Sequence, residues 1–149
     1  LGELARPKKE ISDNADAALA LLRLAALTDD AKYSQAAERA LQAFAGEYAG
    51  YSYFASSYAR AVDALQTGLH IVIVGDKAEA RTLALQRAAW QVAVPGKAVE
   101  TLDAQAGAGR NYPIGENKEP RAYVCRGTNC RVVSTPEELA AAVSERNTP

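Results

Sequence analysis

The spacing of apolar positions changes its period once along this chain, near Gly68, and that change organises the rest of the reading. From Ala15 onward, Ala15, Ala18, Leu19, Leu22 and Ala25/Ala26 recur at the three-four interval of a buried helical stripe. Leu21, Leu24 and Leu27 widen the stripe, which predicts a helix covered on more than one side. Ser12 or Asp13 is the expected N-cap, because a short polar side chain accepts the orphan N–H groups of a first turn. Thr28-Asp-Asp30 is a tight polar connection into a second helix, expected over Ala31 to Tyr48, with Tyr33, Ala37, Leu41 and Phe44 on one face. So short a link makes the two helices antiparallel neighbours. A third helix is predicted from about Ser52 to Gln66, with Phe54, Tyr58 and Leu65 turned inward and Gly68 as its stop.

After Gly68 the pattern becomes that of strands. His70-Ile-Val-Ile-Val74 is a continuous β-branched run, the pattern of a strand buried on both faces. Gly75-Asp76 ends it, a helix is predicted from about Lys77 to Trp90 with Asp76 as its cap, and Ala98 to Leu102 reads as a second, parallel strand. Residues 103–120 hold no periodicity and read as a long loop. Arg121 to Cys125 is a third strand, and Arg131-Val-Val133 pairs back on it as a short hairpin. Thr135, Pro136 and Glu138 then form a capping signature for a last helix. The expected fold class is therefore α/β: helical hairpin layers over 1–68, followed over 69–149 by a small three- or four-stranded, mostly parallel sheet with flanking helices.

Composition narrows the function classes. The chain has 149 residues, a formal net charge of −1 and 48% hydrophobic residues. That balance gives no global field for nucleic acid or an anionic membrane, so neither partner is expected. Arg110, Lys118, Arg121, Arg126 and Arg131 are interrupted by Glu116 and Glu119, the pattern of a solvated rim. No apolar run reaches the length of a transmembrane helix and no signal-peptide order opens the chain, so the expected location is cytoplasmic. The chain opens on Leu1 and contains no methionine, which suggests a processed product or a segment of something longer.

Candidate chemistry is sparse. Cys125 and Cys130, the only cysteines, flank Arg126-Gly-Thr-Asn129, a turn in which Gly and Asn can take positive φ. Paired strands would bring the sulfurs within disulfide reach, and Arg121, Arg126 and Arg131 would favour thiolate. The pair reads as small buried hydrophobes, a static bridge, or a redox pair. Zinc would need two more ligands and His70 is the only histidine, so no metal site is expected. One histidine also leaves no material for a Ser-His-Asp or Cys-His triad, and no catalytic residue is assigned. Gly75-Asp76 lies where dinucleotide-binding domains hold phosphate, but the Gly-x-Gly-x-x-Gly pattern is absent, so no cofactor is expected. Tyr51 and Tyr53, within the aromatic cluster at 48–58, are candidates for stacking on a sugar, beside the plainer reading of core packing.

The order of these pieces resembles the C-terminal end of the thioredoxin-domain-containing family that includes spermatogenesis-associated and YyaL-type proteins. Asp13-Asn-Ala15, Leu21-Leu-Arg-Leu24, Leu27-Thr-Asp-Asp30, Tyr33, Ala36-Ala-Glu-Arg-Ala-Leu41, Ile71-Val-Ile-Val-Gly-Asp76, Ala122-Tyr-Val-Cys125, Cys130 and Pro136-Glu-Glu-Leu139 carry the likeness. The chain departs from it where Val132-Val133 stand in place of a proline, and it has no Cys-x-x-Cys. The resemblance implies that residues 1–68 are the last helices of an α/α toroid, like that of N-acylglucosamine 2-epimerase-type sugar epimerases and six-hairpin glycosidases. Residues 69–149 would then be the α/β cap closing a larger chain. It implies a non-catalytic structural module whose partners are the rest of the parent chain, including a thioredoxin-like domain. Redox or sugar-related chemistry, at Cys125/Cys130 or at a sugar-binding surface, is the alternative. An exposed helical face would also favour homo-oligomers.

Overall fold

The computed structural model describes residues 9–145. Its contacts divide the chain into two compact units, Leu1–Gln66 and Thr67–Pro149.

The first unit is helical. Helix α1 (Ile11–Thr28) begins one residue before the expected caps, with Glu10 in the cap position and no side chain serving it. Asp29 closes it in the left-handed region (φ 60°), and its N–H donates to the Ala25 carbonyl. Asp30 then accepts from the Lys32 N–H and starts α2 (Ala31–Gln42). Two residues therefore reverse the chain, with one stopping a helix and the next capping another. Helix α2 ends six residues before Tyr48, because Ala43 to Glu47 turn and Tyr48–Phe54 wind more tightly as 3-10 turns. Ser52, at φ 53° and ψ −130°, breaks the winding before α3 (Ala55–Thr67).

Ile11, Ala15, Ala18, Leu19, Ala37, Leu41, Phe44, Tyr58, Ala61 and Ala64 form the core of this unit. The many alanines let the α1 and α2 backbones approach closely. Tyr58 buries its ring and donates its hydroxyl to the Leu41 carbonyl at 3.1 Å, which satisfies the phenol inside the core. Phe54 does not point inward as its spacing predicts. It is 52% exposed, because the break at Ser52 shifts it out of phase with the helix that follows.

The second unit is α/β. Its sheet holds β1 (Leu69–Val74), β2 (Ala98–Leu102), β3 (Arg121–Arg126) and β4 (Asn129–Val133) in the order β2-β1-β3-β4. Only β1 and β2 are parallel; β1–β3 and β3–β4 are antiparallel. The sheet is thus mixed rather than mostly parallel, because the β3–β4 hairpin joins the far side of β1 in the opposite direction. Gly127 takes φ 56° in the turn, whereas Asn129 is already the first residue of β4.

One face of the sheet carries Leu69, Ile71, Ile73, Ala122, Val124 and Val133. It packs on α4 (Ala80–Gln91) and α6 (Pro136–Ser144) through Leu85, Ala89, Leu139 and Ala142. The capping signature of α6 forms: the Glu138 N–H donates to Thr135 Oγ1, while the Glu138 carboxylate accepts from the Ser134 N–H. Helix α4 starts three residues after Lys77, and Asp76 accepts from the Ala78 N–H in the preceding turn rather than capping the helix. Lys97 stops α4 by donating to the carbonyls of Ala89, Trp90 and Val92, and burial lowers its pKa from the ordinary lysine value. The segment 103–120 contains a short helix α5 (Ala104–Gly109), capped by Asp103, and a 3-10 turn at Glu116–Lys118.

Gly75 is required by close approach. A Cβ there would lie 2.4 Å from Thr82 Oγ1 and 3.0 Å from Pro120 Cβ. Gly75→Ala is therefore expected to destabilise the protein by about 1–3 kcal/mol through overpacking. Adding Thr82→Ala to Gly75→Ala should recover part of the loss, measured as paired urea-unfolding midpoints.

Candidate functional site

The opposite face of the same sheet collects the polar chemistry of the second unit. Because side chains alternate along a strand, His70, Val72 and Val74 of β1 share this face with Glu100 and Leu102 of β2 and with Arg121, Tyr123 and Cys125 of β3. Cys130 and Val132 of β4 complete it. The register places Cys130 opposite Cys125, and Cys125 opposite His70, in one row across three strands. Directly opposed residues on antiparallel strands have Cβ atoms about 4.5–5.5 Å apart, so the three residues stand side by side on one face.

Cys125 and Cys130 are joined by a disulfide, with their Cα atoms 4.0 Å apart. The two sulfurs do not share one environment. Cys125 is buried, at 3% exposed, whereas Cys130 lies on the edge strand and is exposed. The arginines expected to attend them are elsewhere. Arg126 donates to the carbonyls of Thr67 and Val143, and Arg131 pairs with Glu145. Both lie one residue out of phase with the cysteines, which puts them on the other face. Arg121 shares the cysteine face but sits at the far end of β3 from Cys125.

The neighbouring charge comes instead from His70 and its partners. His70 Nε2 is 2.8 Å from Glu100 Oε1, and Arg110 Nη1 donates to Glu100 Oε2 at 2.8 Å. Glu100 thus bridges a histidine and an arginine, with all three side chains mostly covered. A carboxylate only accepts, so Nε2 of His70 carries a proton in this pair. Beside it Val72, Val74, Tyr123 and Cys125 form a small apolar cluster, with Leu102, Tyr112 and Ile114 packed on it. Tyr112 and Tyr123 meet at 5.1 Å between ring centres, and the Tyr123 hydroxyl donates to the Pro113 carbonyl. The segment after α5 thereby covers this face.

The other candidates fall apart from this group. Tyr51 packs its ring edge-on against Phe44 at 6.0 Å, on the core of the helical unit. Tyr53 faces outward, 72% exposed, with its ring 4.0 Å from Phe54. At Gly75, Thr82 and Pro120 stand close against the backbone, where a Cβ would meet them. Among the described residues, no three His, Cys, Asp or Glu side chains are grouped to hold a metal ion, and no helix is long and apolar enough to cross a membrane.

Sequence reasoning treats His70 and the cysteines separately because 55 positions divide them along the chain. Alternation within each strand places His70 and Cys125 on definite faces, but only the pairing register brings the two together. Glu100 and Arg110 carry no local motif that marks them. No family model, curated protein or solved structure matches this chain.

Burial raises the Tyr123 pKa above the ordinary phenol value, and the Arg121 charge opposes that shift only in part. The folded state thus favours the protonated phenol. Its contribution is fully present below the unfolded pKa of about 10 and is lost as pH climbs through the higher folded value. Stability should fall above about pH 10, and Tyr123→Phe should flatten that fall while costing about 1 kcal/mol at neutral pH for the lost hydroxyl bond. Urea midpoints across the alkaline range check both effects.

Proposed function

We propose that this chain is a structural module without a reaction of its own, the C-terminal end of a larger thioredoxin-domain-containing protein of the spermatogenesis-associated and YyaL type. In this reading the helical unit supplies the last helices of an epimerase-like toroid and the α/β unit is its cap. The parent works in the cytoplasm, and the module's partners are the remaining parts of the same chain. The likeness in the order of short segments from Asp13 to Leu139 supports the assignment.

The observation that carries the structural role is the set of large apolar side chains that the helical unit leaves uncovered. Leu24 and Leu27, at 42% and 40% exposed, stand one turn apart on α1. Tyr48, Tyr53 and Phe54 add exposed aromatic surface from the 3-10 segment. Neighbours three apart on a helix form one surface strip, and an apolar patch of that kind marks an interaction face. In the parent, further toroid helices would lie on it; in their absence a second copy of the chain is the available cover.

The isolated chain should therefore associate with itself as concentration rises, as read by sedimentation velocity. Replacing Leu24 and Leu27 together by lysine should shift the sedimenting species toward monomer. A wild-type chain that stays monomeric at every concentration would contradict the proposal.

A further inference from the structure

The row Cys130–Cys125–His70 carries an activity that a purely structural bridge would not need. We propose that the Cys125–Cys130 disulfide is a thiol-exchange site, in which an external dithiol attacks Cys130 and His70 serves the departing Cys125 sulfur, with Glu100 and Arg110 as positioning residues. The inference is independent of the module reading.

The asymmetry of the bridge sets the direction of attack. Cys130 lies on β4, an edge strand whose outer side is unpaired within the sheet, so its sulfur is open to a solvent-borne nucleophile. Cys125 is shielded between β1 and β4 beside Tyr123 and Val72, so its sulfur is the one that leaves. Exchange depends on which sulfur is accessible and on how well the other accepts the electron pair. A thiolate released into a buried, largely apolar place is costly unless a cation or acid attends it.

His70 is the group so placed, opposite Cys125 in register. Glu100 Oε1 lies 2.8 Å from His70 Nε2, and Arg110 donates to the second oxygen of that carboxylate, which holds Glu100 toward the histidine. Among the described residues, the charged or titratable groups on this face include Glu100 from β2, Arg110 and Tyr112 after α5, and Arg121 and Tyr123 from β3. Arg126 and Arg131 act on the other face.

The thiolate of the dithiol forms a bond to Cys130 Sγ, the Cys125–Cys130 bond breaks, and its electron pair goes to Cys125 Sγ. That sulfur takes the Nδ1 proton of the imidazolium, while the Nε2 proton stays hydrogen-bonded to Glu100, leaving His70 neutral. The second thiol of the dithiol, as thiolate, then attacks its partner's sulfur in the mixed disulfide and releases Cys130, which is protonated from solvent. The dithiol is oxidised by two electrons to a disulfide and the protein gains two thiols. In the reverse sequence an external disulfide accepts the two electrons, and the Cys125 and Cys130 thiols return to the bridge.

Dithiothreitol is the probe for the test, applied to the whole folded chain. Thiol titration should count no free thiol before reduction and two after it. Reduction rates are then followed from about pH 5.5 to about pH 9, spanning the ordinary imidazole value of about 6.5. With an acid at the leaving sulfur, the wild-type rate climbs with pH and then flattens as the imidazolium titrates. In His70→Asn the rate should keep climbing about tenfold per pH unit up to the thiol's own pKa, as the thiolate fraction alone dictates. The wild-type to variant ratio should be about tenfold at the acid end and shrink toward one at the alkaline end. Glu100→Gln should fall between the two.

A ratio that is one throughout, or constant with pH, would reduce His70 to a packing role and overturn the proposal. A bridge that dithiothreitol leaves intact in the folded protein would overturn it as well, as a static crosslink. Should His70→Asn fail to fold, the bend in the wild-type profile decides alone, since unassisted exchange shows no such flattening below the thiol pKa.

Discussion

The α/β unit depends on β1, and on β1 being paired on both sides in one register. Its five residues from His70 to Val74 meet β2 in parallel and β3 in antiparallel, and four of the five are fully buried. A strand covered on both faces has no solvent side to tolerate a slip, because a shift of one residue would exchange its two faces. Ile71 and Ile73 would leave the α4–α6 core, and His70 would be driven into it. The apolar requirement on one face thus fixes the polar arrangement on the other.

That polar arrangement follows from the register. Cys125 is opposite Cys130 and His70 because Ile71 is opposite Val124, and Val124 belongs to the core. The covering segment after α5 adds the rest. Tyr112 and Ile114 close over Val72, Val74 and Tyr123 and bring Arg110 to Glu100, while the β1–β2 register sets Glu100 beside His70. Three groups that would each be costly to bury alone pair through the two oxygens of Glu100. The bridge at one end of the row and the ion pair at the other are therefore parts of a single face, shielded at Cys125 and open at Cys130.

The helical unit obeys a different constraint. Its alanine-rich stripe allows close packing of short side chains, with Phe44 and Tyr58 filling the remaining volume. Such a core takes up only one side of α1. Of the leucines that widen its stripe, Leu21 packs on the core while Leu24 and Leu27 stay at the surface, so the sequence feature that predicts a helix covered on more than one side leaves part of it bare here.

Local chemistry was sufficient for much of this. The period change near Gly68, the β-branched run at 70–74, the Asp30 cap, the Thr135-Pro136-Glu138 signature and the hairpin between the cysteines are all written in residues within a few positions of one another. Their energies come from propensity, capping and turn geometry, which act at short range. What local pattern could not supply were the elements whose form depends on distant neighbours. The break at Ser52 that turns Phe54 outward, the winding of Ala104–Gly109, the later start of α4 and the antiparallel entry of β3 are of this kind.

The candidate site belongs to the second group for the same reason. Cysteines five apart around a turn offer a bridge as one of three readings, but His70, Glu100 and Arg110 come from three separate parts of the chain. Pairing of β1 with both β2 and β3, and closure of the α5 segment, set their distances. The chain's own order of residues determined most of the elements and the turn between the cysteines. Only the assembled sheet decided that the two are bridged and that His70 faces them, since cross-strand contact is a property of register and register is settled by burying the opposite face.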